Sequence, residues 1–215
     1  MSAFEDIKNE RIKKLNLLKE KGIEPFPVST DIDLSVADVL ADFENLLEKG
    51  KEIKIAGRIM AVRTHGGSVF FDLNDGGGKI QIYLKKDEMN EGQFDLFSKT
   101  ADIGDFALAQ GLPFITKKKE RSIKASSWKM LAKSLRPLPE KWHGLSDVEE
   151  RFRKRYLDTL MNEDVRQRFV LRSKIISEIR KFLDKEGFLE VETPVLQVLA
   201  GGALAKPFKT HHNAL

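Results

Sequence analysis

The chain has 215 residues, 41% hydrophobic and 33% charged, with a formal net charge of +4 and no cysteine. That composition fits a soluble globular protein with enough residues for one large or two small cores. It excludes a disulfide framework, a thiolate metal site and a cysteine nucleophile.

The first pattern predicts a helix over residues 4–21, with Phe4, Ile7, Leu15 and Leu18 on one face and charge elsewhere, ended by Gly22 and by Pro25 and Pro27. Ser35 with Asp38 three residues on is an N-cap signature for a second helix. That helix would bury Val36, Val39, Leu40, Phe43 and Leu47 and stop at Gly50. The period then changes to two: Ile53, Ile55, Gly57 and Ile59 alternate with Lys54, Ala56 and Arg58, as in a half-buried strand. Further strands are predicted over 69–73, 79–84, 106–111 and 122–131, with a glycine-rich turn after Asn74 and a short helix around Phe94 and Phe97.

Five short strands with a helix between the third and fourth is the order of an OB-fold barrel. The first domain is therefore α+β: a helical segment over 1–50 packed on a five-stranded antiparallel barrel over 51–136. Gly57 predicts a sharp bend in the first strand. OB barrels bind oligonucleotides on strands two and three, between the first-to-second and fourth-to-fifth connections. Here those connections are residues 64–67 and 116–121. Arg136-Pro137-Leu138-Pro139 opens a linker over 137–145. Ser146 with Glu149 predicts another capped helix, and a longer one over 164–186 would bury Phe169, Ile176, Ile179 and Leu183 before Gly187. A short strand ending at Pro194 follows.

Phe70 and Phe71 are adjacent in a strand and point to opposite faces, so one enters the core. The other is either a stacking platform for a base or a structural contact under the amino-terminal helices. Gln81, between Ile80 and Ile82, is a polar residue on the outer face, free to bond a base edge. Residues 113–136 carry Lys117, Lys118, Lys119, Arg121, Lys124, Lys129, Lys133 and Arg136 against Glu120 alone. Such a local excess attracts phosphate by counterion release, which favours a nucleic acid over a merely solvated loop. Glu190 and Glu192 share a strand face and read as its wet side, not as a catalytic pair. With four histidines, none at a metal-ligand helix spacing, no structural metal is expected. The amino terminus lacks the apolar run of a signal peptide, which points to the cytoplasm.

The run from Gly187 to Pro194 (Gly-Phe-Leu-Glu-Val-Glu-Thr-Pro), then Gly201-Gly202-Ala203 and the tail from Pro207-Phe208 to His211-His212-Asn213, resembles the class II aminoacyl-tRNA synthetases, in detail the lysine–tRNA ligases. Aspartate and asparagine relatives usually carry Glu-Gly-Ala in place of Gly-Gly-Ala. The resemblance implies that the barrel reads the anticodon of tRNA(Lys), with Phe70 stacked on its central uridine and Gln81, Arg63 and Glu120 as partners. Lys117, Lys118 and Lys119 would hold the RNA backbone. The family commonly has Thr-Lys-x-Gly-Glu-Leu-Ser where this chain has Lys119 at the glycine position, so a changed turn before Glu120 is expected. The resemblance also implies a class II catalytic domain beginning at 146–215, a homodimer interface at Pro194, and Gly202 against the substrate lysine. His211 and His212 read as structural. The family forms lysyl-adenylate from lysine and ATP with Mg2+ and transfers lysine to tRNA. Its ATP-holding arginine motifs lie beyond Leu215, so no catalytic or metal residue is expected here, and the chain would bind tRNA without catalysing alone. The rival reading is a stand-alone, non-catalytic RNA-binding OB-fold protein.

Overall fold

The computed structural model describes residues 3–139, 145, 147–194 and 206. The chain divides into two compact units, Met1–Glu140 and Lys141–Leu215. The first begins with α1 (Ala3–Glu20), α2 (Val36–Ala41) and α3 (Phe43–Lys49). Its strands are β1 (Ile53–His65), β2 (Ser68–Asn74), β3 (Lys79–Lys85), β4 (Phe106–Ile115) and β5 (Arg121–Ala132), with α4 (Gln93–Thr100) between β3 and β4.

The strands close as a barrel in the order β1-β2-β3-β5-β4. Four of the pairings are antiparallel, but β3 and β5 run parallel from Gln81↔Ser122 to Tyr83↔Lys124. The all-antiparallel expectation is corrected there, because the closing seam joins two strands that run the same way. β1 belongs to two ladders, pairing with β4 over Ile53–Arg58 and with β2 from Arg58 to His65. At Gly57, where the sequence predicts a bend, the strand makes a close backbone approach instead: a Cβ there would lie 2.9 Å from the main-chain carbon and oxygen of Asn74, and the register shift of β1 falls between Ile59 and Ala61. Gly111, at a register shift of β4, is tighter still, with a Cβ site 2.1 Å from the Lys124 carbonyl oxygen.

The inward residues make one apolar core. Ile55, Ile59, Val69, Phe71, Leu73, Ile82, Leu84, Ile123 and Met130 are fully buried. α4 adds Phe94 and Phe97 to it, and the Phe97 ring stands edge-on to Trp128 at 5.1 Å. The Trp128 indole N–H donates to the Gln93 carbonyl (3.1 Å), so the large ring is buried with its polar atom satisfied.

The helices depart from expectation in two places. The single second helix is two, divided at Asp42 (φ −107°, ψ 19°), although the Ser35–Asp38 capping box forms as expected. The division turns Leu46 into the core and leaves Leu40 and Leu47 half-buried. On α1, Leu15 and Leu18 are buried but Phe4 and Ile7 are exposed. The buried position between them is Arg11, whose guanidinium donates to the carbonyls of Ile103, Ser134 and Arg136 at 3.0–3.1 Å. Beside it, Lys133 is wholly buried and donates to Asp102 (2.5 Å) and Asp105 (2.7 Å), while Lys14 of α1 donates to Asp102 (2.6 Å). Charge-assisted bonds, not a continuous apolar stripe, dock α1 on the barrel.

The second unit contains α5 (Val148–Arg153), α6 (Arg155–Met161) and α7 (Glu163–Lys185). The cap of α5 is Asp147, which accepts from the Glu150 N–H (2.7 Å), one residue later than the expected Ser146, itself outside the described residues. Asp158 is buried under Arg151 (2.9 Å), Arg155 (2.5 Å) and Asn162 (2.6 Å). α7 ends at Gly187 (φ 85°), where the Phe188 N–H closes back on Leu183 O (3.0 Å) in a Schellman-type turn.

Phe169, Ile176, Ile179 and Leu183, expected to be buried, are 41–55% exposed. Of α7 only Val165 is buried, since among the described residues no element covers the rest of its apolar stripe. The expected strand at 188–194 likewise forms no ladder, because the described part of this unit holds no other strand for it to join. Glu190 instead accepts from the Arg180 guanidinium (2.9 Å), and Pro194 is exposed. Gly202, Pro207, Phe208, His211 and His212 lie outside the described residues.

Candidate nucleic-acid interface

Alternation on β2 and β3 sorts the site. Val69, Phe71, Leu73, Ile80, Ile82 and Leu84 fill the barrel, which turns Phe70, Asp72, Gln81 and Tyr83 onto its outer face. The two phenylalanines thus separate as expected: Phe71 is fully buried and Phe70 half-buried. Phe70 stacks on Tyr83 with ring centroids 4.7 Å apart and planes 26° apart, and Tyr83 in turn meets Phe114 of β4 at 5.7 Å. Three aromatic rings therefore form a row across the outer face, a platform on which a base can stack.

Two polar groups flank the row. Arg63, opposite Phe70 in the β1–β2 ladder, donates to Asp72 (3.0 Å), and Lys79 lies 3.6 Å from the other oxygen of the same carboxylate. Asp72 is nearly buried while the Arg63 side chain is 54% exposed, so the carboxylate anchors a guanidinium that still faces solvent. Arginine in such a fixed fork suits a phosphate or a base edge.

The second group is Gln81, Glu120 and Ser122. Gln81 is not free, as its position between two isoleucines suggested: it is 7% exposed, its amide N–H donates to Glu120 (3.0 Å), and the Ser122 hydroxyl donates to its carbonyl (3.1 Å). The partners lie about forty residues away in sequence, Ser122 on β5 and Glu120 in the hairpin just before it. Glu120 therefore reaches Gln81 in spite of the lysine at the glycine position. Lys119 itself takes the left-handed conformation (φ 60°) that glycine would supply. The hairpin closes through Lys119 N–H to Thr116 O (2.8 Å), Thr116 N–H to Glu120 O (3.0 Å) and Glu120 N–H to Thr116 Oγ1 (3.0 Å). A side chain in that conformation costs about 1–2 kcal/mol, and these three bonds hold Lys119 in it.

The basic stretch is less uniform than its composition. Lys133 is buried in its ion pairs, Arg121 is tied to Glu44 (3.0 Å), and Lys124 is tied to Glu88. Hydrogen bonds from Lys124 and Lys85 hold the Glu88 carboxyl below the ordinary range. Lys117, Lys118 and Lys119 are exposed at the hairpin tip, beside Glu120. The structure thus brings Gln81 and Glu120 together, sets Phe70 and Arg63 on the same face, and leaves the lysines at its rim.

Sequence reasoning missed Asp72, Tyr83, Phe114 and Ser122. The first two were within reach, because each follows an assigned residue by two on the same strand face. Phe114 lies in the part of β4 beyond the predicted end, where Pro113 still pairs opposite Ile123.

Among the described residues no three His, Cys, Asp or Glu side chains converge as a metal site. Nor is any described helix long and apolar enough to cross a membrane.

Residues 53–131 match the family model described as OB-fold nucleic acid binding domain, and 147–215 match that of tRNA synthetases class II (D, K and N). The chain is 51% identical over 205 residues to the lysine–tRNA ligase of Carboxydothermus hydrogenoformans, covering 95% of this chain and 41% of that protein. It is 46% identical over 215 residues to the lysine–tRNA ligase of Moorella thermoacetica, covering 100% and 43%. For the lysine–tRNA ligase of Fusobacterium nucleatum the identity is 48% over 206 residues, covering 96% and 41%. The chain spans about two-fifths of the length of these relatives.

Proposed function

Since the chain belongs to the lysine–tRNA ligase family, we propose that its barrel binds the anticodon loop of tRNA(Lys), with a base stacked on Phe70. The observation that carries this reading is the outer face of β2 and β3, where an aromatic row lies between an exposed arginine and a carboxylate–amide pair. Single-stranded RNA is read by such a combination, with aromatic faces taking the bases and fixed polar groups taking their edges. Lys117, Lys118 and Lys119 add the sequence-independent attraction for phosphate.

In the whole protein the binding serves the family reaction: lysine and ATP form lysyl-adenylate, and lysine passes to the tRNA. Mg2+ would assist that step. Among the described residues no three carboxylate or imidazole side chains converge to hold it. A homodimer through the region of Pro194, a lysine contact at Gly202 and a cytoplasmic location belong to the same proposal. The match of residues 147–215 to a synthetase model favours it over a stand-alone RNA-binding protein.

The test is Phe70→Ala, titrated with a labelled lysine anticodon stem-loop. The loss expected is about 1–3 kcal/mol, the worth of one base–aromatic stack, toward the lower end because Tyr83 beneath becomes a substitute surface. Affinity equal to the unaltered protein would refute stacking at this position.

A further inference from the structure

Ser122 is fully buried, yet it lies on the seam between β3 and β5, directly opposite Gln81. Its hydroxyl is 3.1 Å from the Gln81 carbonyl oxygen and 3.3 Å from the main-chain oxygen of Glu120. One hydroxyl proton cannot serve both acceptors fully. The Glu120 carboxylate, 3.0 Å from the other end of the amide, decides between them. With the amide reversed, the Gln81 carbonyl would face a carboxylate, acceptor against acceptor. The amide nitrogen therefore faces Glu120, the amide oxygen faces Ser122, and the hydroxyl proton goes to Gln81.

We infer that Ser122 is a positioning residue for base recognition: together with Glu120 at the other end it holds the Gln81 amide in one direction, and so keeps the order of donor and acceptor that Gln81 and Glu120 present to a base. In the fixed orientation an amide N–H stands beside a carboxylate oxygen. That order complements the carbonyl and the adjacent N3–H of uridine. A reversed amide would set two acceptors side by side, which complements the adjacent N–H and amino donors of guanosine. Ser122 thus acts on specificity from a buried position, without touching RNA. The inference rests on the anticodon-binding reading above.

The experiment compares the 215-residue protein with its Ser122→Ala and Ser122→Thr variants. Each is titrated against the lysine anticodon stem-loop and against copies with one anticodon uridine changed to guanosine. Ser122→Ala should narrow the preference for uridine over guanosine about tenfold, the scale of one lost hydrogen bond, and leave the salt dependence of binding unchanged. Ser122→Thr, which keeps the hydroxyl, should restore the preference. Urea unfolding of each variant separates loss of folded protein from loss of discrimination. If Ser122→Ala weakens all loops equally or leaves the preference intact, the positioning role is overturned and the anticodon reading stands. If the unaltered protein itself shows no preference among the loops, the anticodon reading falls and takes this inference with it.

Discussion

Replacing Lys133 by Met tests how α1 and the barrel are held together. The ammonium is wholly buried, 2.5 Å from Asp102 and 2.7 Å from the equally buried Asp105. Met fills a similar volume but leaves Asp105 hydrogen-bonded only to the main-chain N–H groups of Asp102 (2.7 Å) and Ser134 (2.8 Å), with Arg58 as a charge nearby. Asp102 keeps Lys14. An uncompensated buried charge of this kind costs about 3–5 kcal/mol. At a urea dependence of about 2 kcal/mol per molar, the unfolding midpoint at neutral pH should fall by roughly 1.5–2.5 M.

The pH dependence adds a signature. Burial pushes the Asp105 carboxyl above its ordinary range, against the attraction of Lys133. Without Lys133 it rises further, so the folded variant takes up a proton before the unfolded chain does and gains stability as pH falls through that raised pKa. Asp102 works the other way. Burial raises its pKa, but the bonds from Lys133 and Lys14 prevail and hold it low. Its contribution is complete above the ordinary carboxylate pKa and is lost as pH falls through the lowered folded value. Removing Lys133 removes part of that contribution. Both effects bring variant and unaltered protein together in acid, so the difference in midpoint should be largest near neutrality. A shift below about 0.5 M at neutral pH, or a gap that widens in acid, would refute the assignment of a buried ionic anchor.

Reversing the charge of Lys117, Lys118 and Lys119 to Glu should weaken all single-stranded RNAs alike and flatten the salt dependence by about 2 in log–log slope, roughly 0.7 for each phosphate no longer neutralised. Loss for one anticodon only would show that the loop reads bases. Gly111→Ala should lower the thermal midpoint by several degrees, because its Cβ site lies 2.1 Å from the Lys124 carbonyl oxygen and overpacking against backbone costs about 1–3 kcal/mol. An unchanged midpoint would mean that this crossing of β4 and β5 is looser than its geometry.

The barrel was legible because its signals are local. A period of two over residues 53–59, a glycine-rich turn after Asn74 and adjacent phenylalanines each state which side of a strand is inside. Signals that depend on distant partners were not legible. Gln81 read as free because nothing near it in sequence reveals Ser122 or Glu120. Nothing in the sequence singles out Arg11 as buried, because its three carbonyl partners come from the segment before β4 and the residues just after β5. The turn at Lys119 shows a further effect that sequence does not state: a hairpin held by three hydrogen bonds can impose on lysine a conformation that local preference assigns to glycine. The apolar stripe of α7 was read correctly as a pattern, yet a pattern names a buried face without naming what covers it.

The outer face of β2 and β3 is largely rigid before any RNA arrives. Phe70 leans on Tyr83, Arg63 is anchored to Asp72, and Gln81 is held at both ends. The rotamer freedom that a loop-borne site would surrender on binding, about 0.5–1.5 kcal/mol for each side chain, has been lost during folding instead. On the proposed anticodon-binding reading, the three rim lysines would govern the encounter rate through long-range attraction, whereas the preset face would govern how long a bound strand stays. On that reading capture and residence fall to different residues, and salt should change the first far more than the second.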